Sequence, residues 1–174
     1  MAEPRWLDDE EARAWRGFLA MHQLLRAALE RELAHDTGLS LADYEVLVAL
    51  SEAEGRRLRM SVLAEGLQWS RSRLSHQVAR MQERGLLRRD DCPTDARGAF
   101  AVLTPAGLAA IEQAAPGHLA GVRRHLLDRL SPEQVRALVE ISDAVVGPLR
   151  DGCGSTGGND DAPPPWRQQP GCTC

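Results

Sequence analysis

The chain contains no lysine, and all 21 of its basic residues are arginine. Arginine carries a planar, permanently charged guanidinium that contacts phosphate with two hydrogen bonds, so this bias suits phosphate recognition. The chain also lacks any run of about 18 consecutive apolar residues, which excludes an ordinary membrane-spanning helix. Its N-terminal stretch, MAEPRWLDDEEARAW, is acidic and contains no apolar signal-peptide core. We therefore expect a cytoplasmic protein that does not contact a membrane.

The usual signatures of enzymes and metal sites are missing as well. No nucleophile stands beside an ordered base, and there is neither a glycine-rich phosphate loop nor a paired acidic motif. The histidines are scattered, and the cysteines do not have the spacing of a structural zinc site. The four cysteines are Cys92, Cys153, Cys172 and Cys174. We expect a protein that is not an enzyme and that needs no cofactor or metal.

The arginines are concentrated in one part of the chain. The net charge of the 174 residues is −4, but residues 56–97 hold ten arginines and only five acidic side chains. This segment therefore carries +5, and the remainder carries −9. A basic block between acidic regions is typical of a local phosphate-facing surface. A solvated charged face is the alternative that charge alone leaves open.

Six segments show the periodicity of amphipathic helices, with apolar residues repeated at steps of three and four. Ser40, Ser70 and Ser131 stand where N-caps are expected. Pro116 is expected to kink or interrupt the fifth helix, and Pro148 to close the sixth. The predicted helices span residues 10–34, 41–51, 60–67, 71–84, 104–129 and 131–146.

The fourth predicted helix carries an arginine-rich surface. Leu74, Val78 and Met81 form its inward apolar stripe, which leaves polar side chains on or near the opposite face. Together with the short third helix before it, this segment predicts a helix-turn-helix. A short helix with such a surface fits a major groove, where arginine, serine and glutamine reach base edges and phosphates. The predicted DNA-contacting residues are Ser70, Arg71, Ser72, Arg73, Ser75, His76, Gln77 and Arg80.

Two short predicted strands follow this helix, at residues 86–89 and 99–103. The segment between them, residues 90–98, combines aspartates with a proline and a glycine and is typical of a turn at a hairpin tip. A basic hairpin beside a DNA-reading helix forms the wing of a winged helix-turn-helix. The predicted fold is therefore mainly α with a small β-wing.

The hairpin supplies further candidate DNA contacts. Arg88 and Arg89 are predicted to contact phosphates. Arg97, near the tip, is predicted to enter the adjacent minor groove, where the electrostatic potential is most negative. The alternative for Arg97 is an ion pair in solvent with Asp95 or Asp91, which would contribute little.

The outer helices display more leucine and valine than one small winged helix covers. A symmetric partner would bury this surface, since obligate dimer interfaces commonly exceed about 2,000 Å²; packing within one chain is the alternative. We expect residues 10–36 and 104–150 to form dimerisation helices around a DNA-binding lobe at residues 40–103. Residues 1–9 are expected to be an extension. Residues 151–174, rich in glycine and proline, are expected to be a disordered tail.

Three segments, in chain order, carry a family resemblance. They are LRMSVLAEGL, SRSRLSHQVARMQERGLLRRD and PTDARGAFAVLTPAG. They resemble the MarR family of transcriptional regulators, and the match extends over residues 15–146. The wing pattern of the family usually has two arginines after its aspartate. Ala96 stands in the first of these places here, so only Asp95 and Arg97 carry over as expected DNA contacts.

The resemblance implies a homodimer on a pseudo-palindromic operator of double-stranded DNA, with each recognition helix in a major groove and each wing in a flanking minor groove. Many members of the family are repressors that a small aromatic or phenolic ligand releases from DNA. Their pocket lies where the first, second and fifth helices meet the DNA-binding lobe. The residues expected there are His22, Arg26, Tyr44, Met60 and Trp69, for which core or interlobe packing is the alternative role.

Two other functions remain compatible with the sequence. A redox-sensing regulator would act through Cys92, because an adduct beside the wing would reshape a DNA contact. A winged helix used for protein assembly is the second alternative. Such a module would not need His76, Gln77 and several arginines on an exposed helix face.

Overall fold

A computed structural model describes residues 4–92 and 95–151, with the backbone alone described for residues 92, 95–97, 150 and 151. The predicted tail from residue 152 onward lies outside this description. The described helices are α1 (Asp9–Thr37), α2 (Leu41–Glu52), α3 (Met60–Gly66), α4 (Arg71–Glu83), α5 (Pro105–His125) and α6 (Pro132–Asp151). The described strands are β1 (Arg57–Arg59), β2 (Leu87–Cys92) and β3 (Asp95–Leu103). This order is the predicted one, with β1 added.

The helices begin where local side-chain chemistry satisfies their first backbone donors. Ser40 forms a capping box at the start of α2, and the Ser70 hydroxyl accepts a hydrogen bond from the backbone N–H of Arg73. At α6, the backbone N–H of Gln134 donates to Ser131. The predicted serine caps are confirmed, and each pairs a donor that the first helical turn leaves open.

The three strands form one antiparallel sheet in the order β1-β3-β2. β1 is absent from the sequence prediction because a strand of three residues is too short to show a period. The hairpin ladder reaches further toward the tip than predicted, since Asp90 pairs with Phe100 and Asp91 with Ala99. The prediction that residues 90 and 91 belong to the turn is therefore wrong. Strand preferences of single residues are weak, and pairing with a neighbouring strand overrides them.

The interruption of α5 at Pro116 and the end of α6 at Pro148, both considered from the sequence, do not occur. α5 runs without interruption through Pro116, and α6 continues past Pro148 to Asp151. A proline removes its own backbone donor, but the hydrogen bonds of its neighbours remain and can carry the helix onward. α5 ends at His125, earlier than predicted, and a 3-10 turn at Leu127–Arg129 follows.

The hydrophobic core lies between α2, α3, α4 and the sheet. Leu47, Leu50, Leu63, Leu74 and Met81 are fully buried there. α1 and α5 contribute buried side chains to the same cluster. The core therefore joins α2, α3, α4 and the sheet to the two long helices α1 and α5, and it fixes the position of α4.

The outer helices leave large apolar side chains uncovered by their own chain. α6 makes few contacts with the other described elements. The exposed apolar residues of α1 and α6 include Trp15, Phe18, Leu19, Met21, Leu24, Val139, Ile141, Val145, Val146 and Leu149. Among the described residues, no helix is long and apolar enough to cross a membrane.

Candidate functional site

The exposed side of α4 forms a basic surface, here called the α4 face. Leu74, Val78 and Met81 are buried beneath it, as predicted. The side chains above them project into solvent, where a duplex could contact them directly. The exposed residues of the α4 face are Ser70, Arg71, Ser72, Arg73, Ser75, His76 and Arg80.

Trp69, one of the residues predicted to contact a ligand, lies beside an arginine of the α4 face. The guanidinium carbon of Arg73 lies 4.0 Å from the centroid of the Trp69 ring. This cation-π contact holds the long arginine side chain over the ring and so reduces the freedom it must lose on binding. Trp69 itself is half-buried and packs against the hydrophobic core.

The prediction that Gln77 lies on the exposed face is wrong. Gln77 is 3% exposed, and its Nε2 donates a 2.7 Å hydrogen bond to Oδ1 of Asp43 on α2. Its position explains the burial, because residue 77 lies one helical turn from both Leu74 and Met81 and so shares their inward side. This spacing was the available signal, and the polar character of glutamine obscured it.

Asp43 is the buried anchor of this contact. Its Oδ2 accepts hydrogen bonds from the backbone N–H and hydroxyl of Ser40 and a 2.8 Å ion-pair contact from Arg84 at the end of α4. Burial alone would raise the pKa of Asp43, but the hydrogen bonds from Ser40 and Arg84 outweigh it and hold the pKa below its ordinary value. The carboxylate is therefore ionised at neutral pH and acts only as an acceptor.

The wing presents its two predicted arginines differently. Arg88 forms two 2.9 Å hydrogen bonds with the carboxylate of Asp90, so part of its charge is already compensated. Arg89 is exposed, and the alternation along β2 directs it to the other face of the sheet. Three further candidates have side chains outside the described part of the chain, so their roles stay predictions: Cys92, Asp95 and Arg97.

One face of the sheet carries arginines to which sequence reasoning assigned no role. The guanidinium carbons of Arg57 and Arg59 on β1 lie 4.0 and 5.2 Å from the centroid of the Phe100 ring. The strand register places Arg57 and Arg88 on either side of Val102, so all these residues share one face. The basic run at residues 56–59 was a visible signal, but without β1 it could not be placed.

A cavity of about 390 Å³ lies between α1, α2 and α5. It brings together His22, Arg26 and Tyr44 from the predicted ligand set. Met60 and Trp69 are not among its lining residues, and both are partly buried against the hydrophobic core. The other lining residues are Leu25, Leu29, Leu41, Glu45, Val48, Leu67 and His118.

The polar groups of this cavity are partly paired. Arg26 donates a 3.0 Å hydrogen bond to Glu45, which compensates the charge expected to attract an anion. The rings of Tyr44 and His118 lie 4.3 Å apart between centroids. Burial lowers the pKa of His118, so its imidazole is neutral at pH 7, and it raises the pKa of Tyr44. His118 lies on a distant helix, which is why the sequence did not associate it with Tyr44.

His118 also has an unsatisfied atom. Its Nδ1 is buried and has no hydrogen-bond partner among the described residues. A buried polar atom without a partner carries a desolvation cost, which a hydrogen bond formed after rotation of the ring would relieve. The cavity therefore offers apolar walls and an aromatic pair, and one of its lining residues, His118, has a buried ring nitrogen without a partner.

Comparison with known proteins identifies similar sequences and structures. A sequence model of the MarR family matches residues 37–98. AbsC, a MarR family transcriptional regulator from Streptomyces coelicolor, is 47% identical, with a TM-score of 0.80 over 85% of this chain and 99% of its own. No curated protein matches the chain.

Two further structures extend the comparison. Sco3205 from Streptomyces coelicolor, a MarR family regulator solved in complex with DNA, is 42% identical, with a TM-score of 0.80 over 94% of this chain and 99% of its own. BpsR from Bordetella bronchiseptica, whose DNA binding is regulated by 6-hydroxynicotinic acid, is 20% identical, with a TM-score of 0.66 over 81% of this chain and 98% of its own. The second likeness is one of fold alone.

Proposed function

Because this chain belongs to the MarR family of transcriptional regulators, we propose that it binds a pseudo-palindromic operator as a homodimer and represses transcription until a small aromatic ligand releases it. Regulators of this family are DNA-binding transcription factors and not enzymes. The operator lies on double-stranded DNA, so the expected place of action is the cytoplasm of a bacterium. The observation that carries the proposal is the α4 face, an exposed basic surface on a helix rigidly packed against the core.

The α4 face suits base reading in a major groove. Arg73 is pre-positioned by Trp69, and His76 is exposed one turn further along the helix. Arginine recognises guanine through two hydrogen bonds, and a fixed guanidinium makes such a contact selective. Sco3205, at 42% identity, was solved in complex with DNA, which supports the same partner for this chain.

The wing supplies the second part of the proposed DNA surface. Arg88 and Arg89 are exposed on opposite faces of the sheet, so we assign them to phosphates and not to base edges. The sequence places Asp95 and Arg97 at the wing tip, and Arg97 keeps its proposed role in the minor groove.

Arg73→Ala is expected to weaken binding to the preferred duplex by about 1–3 kcal/mol and to relax the preference for one base pair. Arg88→Ala is the comparison variant, and it is expected to weaken preferred and scrambled duplexes alike because phosphates carry no sequence information. Fluorescence anisotropy at one fixed salt concentration measures both. Equal losses on the two duplexes for Arg73→Ala would contradict its assignment as a base reader.

The homodimer is proposed from the exposed apolar surface of α1 and α6. Exposed patches of this extent on a monomer mark an interaction surface. The two helices that carry this surface, α1 and α6, precede and follow the proposed DNA-binding lobe in the chain. A dimer with its two-fold axis at this surface would carry one α4 face on each chain and could present both to one duplex. Such a pair reads half-sites about 34 Å apart, one helical turn of DNA.

The ligand proposed for the cavity is a small phenol. A carboxylate would have to displace Glu45 from Arg26. A phenol could instead stack beside Tyr44, and a rotation of the neutral His118 ring would bring its unpartnered Nδ1 to the phenol hydroxyl. BpsR, a protein of the same fold, is regulated by a hydroxylated aromatic acid, which is compatible with an aromatic ligand here. Release follows where the ligand favours a lobe spacing unlike that of the DNA complex.

A phenol that acts as effector is expected to lower operator affinity by about 5- to 150-fold, the usual range of allosteric coupling. Reciprocity requires saturating operator to weaken phenol binding by the same factor. Calorimetric titration with and without operator measures both. His118→Phe keeps an aromatic ring beside Tyr44 but removes the nitrogen, so phenol binding should weaken in this variant. A phenol that binds equally well with and without operator is not the effector.

A further inference from the structure

The hydrogen bonds of Gln77 link a buried charge on α2 to an exposed arginine on α4. Gln77 donates from Nε2 to Asp43, and its Oε1 accepts a hydrogen bond from Nη2 of Arg80. Asp43 and Gln77 are both 3% exposed, whereas Arg80 projects into solvent. The buried pair therefore ends at a guanidinium on the surface.

The direction of each hydrogen bond in this chain is fixed by chemistry. The ionised carboxylate of Asp43 can only accept, so the amide nitrogen of Gln77, and not its oxygen, must face it. The amide oxygen then points outward, toward Arg80, which can only donate. The amide cannot be reversed without placing oxygen against carboxylate and N–H against guanidinium. The charge of Asp43 thus determines where the Arg80 side chain is held.

Asp43 is itself held firmly enough to act in this way. Its other oxygen is occupied by Ser40 and by Arg84, and Arg84 also donates to the backbone oxygen of Gly38. These contacts tie the start of α2 to the end of α4. Because the Asp43 carboxylate is fixed by these contacts, it sets the position of Gln77 and, through Gln77, that of the Arg80 guanidinium.

Arg80 lies where such control would matter. It is one helical turn beyond His76 and two beyond Arg73, so the three side chains form one stripe of the α4 face. An unsupported arginine at this position would lose side-chain entropy on contacting DNA. A guanidinium already aimed by Gln77 loses less, and its remaining N–H donors stay free to face phosphate or a base edge.

We propose that Asp43 and Gln77 are positioning residues for DNA binding, which orient Arg80 on the α4 face from within the core. This inference rests on the proposed DNA-binding function, and it adds two residues that do not touch the duplex. Arg80 is the group that makes the contact. Gln77, which was predicted to contact DNA from the exposed face, would then act from its buried position by orienting Arg80.

A double-mutant cycle between Gln77 and Arg80 tests the proposal. The probe is the duplex that the wild-type protein selects from random DNA. Gln77→Met keeps the length and packing of the side chain but removes both hydrogen bonds, and it should weaken binding about tenfold. Arg80→Ala should weaken binding by a similar factor and lower the salt slope of log Kd by about one. In the Arg80→Ala background, Gln77→Met should change the affinity less than about twofold, as expected for two residues acting through one contact.

A rescue variant keeps the test independent of folding effects. Gln77→Glu places two carboxylates in contact and should weaken binding. Asp43→Asn/Gln77→Glu should recover it, because the new asparagine donates to the new glutamate, which accepts from Arg80. Thermal melting of each variant shows whether it is folded.

The possible results distinguish failure of the positioning role from failure of the proposed DNA-binding function. The positioning role would be overturned if Gln77→Met weakened binding equally in the wild-type and Arg80→Ala proteins. It would also be overturned if Arg80→Ala bound DNA normally or if the rescue failed. None of these results would affect the DNA binding of the wild-type protein. Wild-type protein that prefers no duplex would overturn the proposed function and this inference together.

Discussion

Val145→Glu/Leu149→Glu is expected to dissociate the dimer and to reduce operator affinity by at least about 100-fold. Val145 is 53% and Leu149 69% exposed in the single chain, and they lie one turn apart on the apolar side of α6. Inside a dimer interface, the two new carboxylates would be buried without partners, at a cost of several kcal/mol. A monomer then binds one half-site and lacks the additional affinity that a dimer gains from the second half-site.

The matched control adds the same charge to the opposite side of the same helix. Ala137 and Ala144 are exposed on α6 but lie away from its apolar side. Ala137→Glu/Ala144→Glu should therefore leave both the dimer and operator binding near wild type. Light scattering gives the mass of each variant in solution. A dimer that persists in Val145→Glu/Leu149→Glu would contradict the assignment of α6 to the interface.

Gly107→Ala is expected to destabilise the protein by about 3 kcal/mol, at the upper end of the usual cost of overpacking. A Cβ at Gly107 would lie 1.9 Å from the backbone oxygen of Leu86 and 2.8 Å from Cδ1 of Leu103. The Leu86 oxygen cannot move freely, because the hydroxyl of Thr104 donates to it and to the oxygen of Gly85. The substitution must therefore push α5 away from the DNA-binding lobe.

Gly117→Ala provides the control on the same helix. Gly117 lies on α5 with no heavy atom within 4 Å of a built Cβ, so alanine there should stabilise the protein by about 0.5–1 kcal/mol through helix propensity. Denaturant unfolding at one protein concentration measures both variants, which keeps any effect of dimerisation constant. Equal unfolding midpoints for Gly107→Ala and wild type would show that α5 does not depend on this close contact.

The parts of the fold that depend on neighbouring residues were predictable from the sequence. The start of α4 follows from Ser70, and its buried side follows from Leu74, Val78 and Met81. These features are decided within one or two helical turns, where side-chain spacing alone determines what faces inward. The positions of the helix-turn-helix and the hairpin therefore follow from the local sequence.

The remaining features depend on contacts between distant parts of the chain. Gln77 is buried because Asp43, on another helix, supplies a charged acceptor. His118 belongs to the cavity because α5 packs beside Tyr44, and β1 exists because β3 offers a pairing edge. A polar residue at an inward position cannot be distinguished from an exposed one by its own periodicity, since its partner is not visible in the local sequence.

Selection of duplexes from random DNA by the purified protein shows whether the α4 faces of two chains read a specific sequence. We expect convergence on a pseudo-palindrome with half-sites about 10 base pairs apart. Two chains should bind each selected duplex, about 1,000-fold or more tightly than a scrambled duplex at the same salt concentration. A selected pool that shows no common motif, or equal affinity for selected and scrambled duplexes, would contradict sequence reading by the α4 faces.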